Sequence, residues 1–139
     1  MRYSVRILFI LLIGMLNAPW AFSQHFIGMQ KDEIKKVMEE THKNYRLNTS
    51  TVNPHYNYLK YENKINEITI LFFLSDDDHC TLVRKMCDYS NIIEEIETLN
   101  SNYKSVDKNS WEYEVDGKTY LVSLAEEEWY FTVTTRLKK

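Results

Sequence analysis

WEYEVDGKTYLVSL, residues 111–124, is the stretch on which the fold turns. Trp111, Tyr113 and Val115 fall on one face of an extended chain and Glu112 and Glu114 on the other, because side chains alternate across a strand. Asp116-Gly117 is a preferred dipeptide for a two-residue type I′ turn, which needs positive φ at both central positions. Lys118 to Leu124 then alternates in reply. The two-residue loop sets the register, placing Val115 opposite Lys118, Tyr113 opposite Tyr120 and Trp111 opposite Val122, so large apolar pairs share one face. A sheet that is apolar on one side has to bury that side under another layer.

Glu126-Glu127-Glu128 reads as a turn. Trp129 to Thr135 reads as a third strand, with Trp129, Phe131 and Val133 inward and Tyr130, Thr132 and Thr134 outward. On the N-terminal side, Ser90 caps a helix in which Ile92, Ile93, Ile96 and Leu99 recur at helical spacing and Asn100-Ser101-Asn102 ends the run. The same order of elements precedes it. Ile34, Val37 and Met38 lie on one face of a helix over about residues 30–42, with Asp32 and Glu33 in its first turn, where the helix dipole favours acids. A polar loop, Tyr45 to Asn57, contains Pro54. His55 to Glu62, Glu67 to Leu74 and Cys80 to Met86 read as strands, with Ser75-Asp76-Asp77-Asp78 as a turn. Glu67 to Leu74 is apolar on both sides, which points to a central position.

The two halves also match in sequence at an offset of 50 residues, Ile70–Lys85 against Tyr120–Thr135. Leu71 meets Leu121, Leu74 meets Leu124, Val83 meets Val133, and the acidic triplets coincide. The expectation is one α+β domain, residues 24–139, made of two αβββ units at about 28–88 and 89–139. An antiparallel sheet would carry both helices on one face.

The first 23 residues read as a secretory signal peptide. Arg2 and Arg6 precede the apolar run Ile7 to Leu16, Pro19 ends it, and Ala21-Phe22-Ser23 offers small residues for cleavage before Gln24. The run is about half the length a spanning helix needs. No Cys precedes Cys80, so the product is expected free in the periplasm or secreted, with neither a lipid anchor nor a membrane anchor after cleavage. The net charge of -3 becomes more negative once Arg2 and Arg6 are removed. An acidic surface without a basic stripe argues against nucleic acid and anionic lipid as partners.

Few residues offer chemistry. Cys80 and Cys87 are the only cysteines, and seven residues along a strand separate them by about 23 Å, against the ~7 Å Cα limit for a disulfide. Two buried thiols, a disulfide across a sharp bend and a reactive thiol are the three readings, and the spacing favours the first. His79 adjoins Cys80 but points to the opposite face of a strand, so it is poorly placed as a base. Asp76-Asp77-Asp78-His79 has metal-ligand residue types without the alternate spacing that lets them converge. His25, His42, His55 and His79 form no zinc pattern. The sequence contains no nucleophile elbow or phosphate loop. No catalytic residue, metal or cofactor is assigned. The remaining signal is aromatic: Tyr56, Tyr58 and Tyr61 crowd one strand, and Tyr130 is expected on the face turned away from the helices.

Ile27-Gly28-Met29 followed by Lys31-Asp32-Glu33-Ile34, directly after a leader, resembles the opening of small exported bacterial domains. In these the first helix begins with a Gly-hydrophobic-polar-x-(Asp/Glu)-Glu pattern; they include the small outer-membrane assembly proteins, the beta-lactamase inhibitor protein and the PepSY-like domains. The resemblance covers that opening and the order of elements. It implies a helix started at the glycine and a sheet or loops that bind another protein, without catalysis by virtue of the fold. Glu39-Glu40-Thr41-His42-Lys43 stands where those families have Gly-x-Pro, so their binding residues do not transfer one by one. The resulting expectation is a non-catalytic binding domain of the envelope, with a protein partner on the sheet face through Tyr56, Tyr58 and Tyr130. The alternative is a thiol-dependent or hydrolytic enzyme using Cys80 or Cys87.

Overall fold

The computed structural model describes residues 26–50 and 53–139; the signal-peptide reading of residues 1–23 lies outside them. Gln30 starts the first helix, α1 (Lys31–Thr41). Its side chain accepts from the Asp32 N–H at 3.0 Å, and Glu33 accepts from the Gln30 N–H at 3.1 Å, so two otherwise orphaned donors are satisfied. Strands β1 (Arg46–Leu47), β2 (Tyr58–Asn63), β3 (Ile68–Leu74) and β4 (Cys80–Cys87) follow. A 3-10 turn, Tyr89–Asn91, leads into α2 (Ile92–Asn102), β5 (Lys104–Asp107), β6 (Ser110–Val115), β7 (Lys118–Glu126) and β8 (Phe131–Leu137).

All eight strands form one antiparallel sheet in the order β1-β2-β3-β4-β8-β7-β6-β5. β4 and β8 are the central pair, and each half of the chain runs outward from that seam. β3 is therefore interior without being at the centre.

The register fixes which side chains share a face. Ile70 and Phe72 oppose Tyr61 and Leu59 on β2 and Lys85 and Val83 on β4. Val83 and Cys87 in turn oppose Thr135 and Phe131 on β8, and Val122 and Leu124 oppose Thr135 and Val133. This is the helix side. Ile34 and Met38 of α1 pack there with Phe26, Leu59, Ile70, Phe72 and Val83. Leu99 of α2 packs there with Trp111, Val122, Leu124, Phe131 and Val133, and Ile68 touches both clusters. The mixed α+β architecture, an antiparallel sheet with both helices on one face, is as expected. So is the 111–122 register, with Asp116 at φ 51° and Gly117 at φ 72°.

Several expectations need correction. Four strands follow each helix where three were expected, because β1 and β5 are exposed along their whole length and carry no alternating apolar signal. β2 begins at Tyr58 and not His55, since Asn53 holds the preceding residues in a turn, accepting from the His55 N–H at 2.9 Å. Asp88, not Ser90, supplies the cap before α2: its carboxylate accepts from the Ser90 N–H at 2.8 Å. Trp129 does not face inward; the Glu127 N–H donates to the Tyr130 carbonyl and closes a turn that leaves the Trp129 side chain 76% exposed.

Candidate functional site

The side of the sheet away from the helices carries the alternate residues, and its two halves differ. Across β6, β7 and β8 it is mostly polar, with Ser110, Glu112, Thr119, Ser123 and Thr134, although Leu121 and Ala125 share this face and Thr132 on it is buried. Across β2, β3 and β4 large apolar side chains alternate with charged ones: Tyr58 opposes Phe73, which opposes Leu82, and Lys60 opposes Leu71, which opposes Arg84. Met86 lies beside Thr69. These residues, with Asn53 and Tyr56, line a groove of about 660 Å³.

Local structure accounts for its shape. β3 is apolar at successive positions, so Ile70, Phe72 and Leu74 enter the core while Leu71 and Phe73 remain on the uncovered side. The three strands form the floor. Among the described lining residues, Asn53 and Tyr56 stand outside the strands as a wall on segment 53–57, which is tied to the end of β3 and the β3–β4 turn: Leu74 N–H donates to the Asn57 carbonyl at 2.8 Å, and Asn57 Nδ2 donates to Asp78 Oδ1 at 2.7 Å. Tyr56 stands on that wall, 62% exposed. The Tyr58 and Phe73 rings lie 6.2 Å apart, tilted by 42°.

Two cations and no carboxylate occur among the lining residues. Lys60 is paired with Glu62 at 2.8 Å, a contact that lowers the Glu62 carboxyl below its ordinary range. The Arg84 guanidinium donates through Nε to Thr134 Oγ1 at 3.3 Å and lies 5.8 Å from the centre of the Phe73 ring. Arg136, opposite Leu82 on β8, borders the groove. Neither arginine has a carboxylate within ion-pair distance among the described residues.

Of the binding residues expected from sequence, Tyr56 and Tyr58 come together in this groove. Tyr130 is 37% exposed but does not line it, standing in the turn before β8. Tyr61 enters the core at 5% exposure, because its position in β2 faces the helices. Leu71, Phe73, Leu82, Arg84 and Met86 were missed. The two-sided apolarity of β3 is the signal for Leu71 and Phe73, while Leu82, Arg84 and Met86 on β4 join them only through the strand register.

Cys80 and Cys87 are free and buried at the two ends of β4, in separate core clusters. Burial pushes the Cys80 thiol up to about 12 and the Cys87 thiol up to about 11, so little thiolate exists at neutral pH. In the acidic turn, Asp78 is taken by Lys31 at 3.7 Å and by Asn57, while Asp77 accepts from Ser75 and lies 3.3 Å from the His79 ring. Among the described residues no helix is long and apolar enough to cross a membrane.

No family model matches the chain, and no curated protein or solved structure matches it.

Proposed function

We propose that this chain is an exported, non-catalytic binding domain of the envelope that receives a segment of a protein partner in the groove over β2, β3 and β4. One observation carries the reading: Leu71, Phe73, Leu82 and Met86 with Tyr56 and Tyr58 form an apolar surface on the sheet side that neither helix covers. Contiguous apolar surface held by a rigid scaffold is where binding concentrates, and Tyr and Arg are the residue types that anchor protein interfaces. Among the described residues the groove has a floor and one wall. A small molecule lying in it would keep one side in water, whereas an extended segment of a larger partner brings its own cover.

Export rests on Arg2, Arg6 and the apolar run Ile7 to Leu16. The family reading remains a resemblance to small exported bacterial binding domains. Within it we read the chain as two αβββ units, β2–β4 and β6–β8, each extended by a short edge strand. The 50-residue offset in sequence and the mirrored strand order support this. The thiol-enzyme alternative would require a thiolate at Cys80 or Cys87, and the burial of both weighs against it.

The test is quantitative capture from the envelope fraction of the producing cells, comparing the native protein with Tyr56→Ala and Tyr130→Ala. The expected result is a partner retained by native protein and Tyr130→Ala and depleted about tenfold with Tyr56→Ala. A partner that binds Tyr56→Ala as well as native protein would place binding elsewhere.

A further inference from the structure

We infer that the segment bound in this groove is acidic, with Asp or Glu side chains set among aromatic or aliphatic ones. The inference rests on the groove reading above and adds the chemistry of the occupant.

The charge of the groove is opposite to that of the chain. The whole protein carries a net charge of -3, yet the groove lining includes Lys60 and Arg84 and no Asp or Glu. Glu62 neutralises Lys60. Arg84 is held over Phe73 by its bond to Thr134, which uses one donor of its five and leaves the outer fork unengaged by any described carboxylate.

Arg136 stands diagonally across the β4–β8 ladder from Arg84, because Arg84 opposes Thr134 and Leu82 opposes Arg136. Diagonal neighbours on one sheet face have their side-chain origins about 7–8 Å apart. Two long cationic side chains rooted this close can both reach a single carboxylate, which offsets their mutual repulsion and accepts a forked pair of hydrogen bonds.

The apolar floor adjoins these arginines directly: Leu82 is the cross-strand neighbour of both Phe73 and Arg136, and Leu71 of Arg84. A bound segment therefore meets guanidinium and hydrocarbon within the same few residues. A purely apolar segment would desolvate the Arg84 guanidinium without supplying an anion to it, and a basic one would add repulsion.

The experiment selects peptides from a randomised display library on the purified protein. Affinities of the selected peptides are then measured by fluorescence anisotropy for native protein, Arg84→Gln, Arg136→Gln and Tyr56→Ala, with phosphatidylglycerol vesicles as a separate probe. All three substituted side chains are exposed, so none of the substitutions removes core packing, and far-ultraviolet dichroism of each variant checks that it folds as the native protein does. The expected result is enrichment of Asp or Glu beside Phe, Tyr or Leu, with affinity that falls with salt and drops about tenfold in Arg84→Gln. Peptides without acids that ignore Arg84→Gln but are lost in Tyr56→Ala would overturn the acidic occupant and leave the groove reading standing. No enrichment, or peptides indifferent to all three substitutions, would overturn both. Arginine-dependent binding to the vesicles without peptide enrichment would replace the protein segment with an anionic lipid surface and overturn the proposal.

Discussion

Arg84 and Lys85 are adjacent in sequence and serve opposite faces of the sheet. Lys85 points to the helices and pairs with Glu95 of α2 at 2.5 Å, both side chains less than one-fifth exposed. Removing one partner leaves the other charge poorly solvated, so Lys85→Met should cost about 1–3 kcal/mol in chemical denaturation. Lys85→Met combined with Glu95→Leu should recover most of that loss. The thiols give a second prediction. Folding raises the Cys80 and Cys87 pKa values from 9.0 to about 12 and about 11. The folded state therefore favours the protonated thiols, and that advantage is intact below pH 9. Stability should fall as the pH rises from about 9 towards 12, and at neutral pH a disulfide reagent should label both residues only after unfolding. Residue chemistry of this kind was partly legible in the sequence. Cysteine spacing argued for separate thiols, whereas the Arg84 environment depends on Thr134, 50 positions away, which no local pattern announces.

At the scale of elements, local rules held where they were strong. The 116–117 turn is the clearest case, with both residues at positive φ. A Cβ on Gly117 would meet nothing within 4 Å, so Gly117→Ala should cost only the backbone term, about 1–2 kcal/mol in chemical denaturation. The edge strands were invisible because exposure removes the apolar alternation that reveals a strand. β3 was visible and misplaced: an apolar residue on each face is the pattern of a strand covered on both sides, yet here one face is left open. A two-sided strand beside the helix-covered core is thus a sequence signal for an open apolar face as well as for burial. The turn at Trp129 failed for a different reason, since the bond between the Glu127 N–H and the Tyr130 carbonyl overrides strand propensity.

At the scale of the molecule, the two halves meet along the β4–β8 seam, and Ile68 joins the core clusters beneath them. Continuity of ladder and core predicts one cooperative unfolding transition. Far-ultraviolet dichroism and the fluorescence of the fully buried Trp111 should report the same midpoint, within the contribution of the exposed Trp129. The halves share a plan but differ in degree on the open face, with a cluster of large apolar side chains over β2–β4 and mostly polar ones over β6–β8, and that asymmetry is the basis of the functional reading. The most direct test places a photoreactive phenylalanine analogue at position 56, 82 or 123 of the full chain in its producing cells, followed by irradiation and mass spectrometry. The account predicts one discrete adduct shared by positions 56 and 82 and none at position 123. Adducts at position 123 with none at 56 or 82 would contradict it.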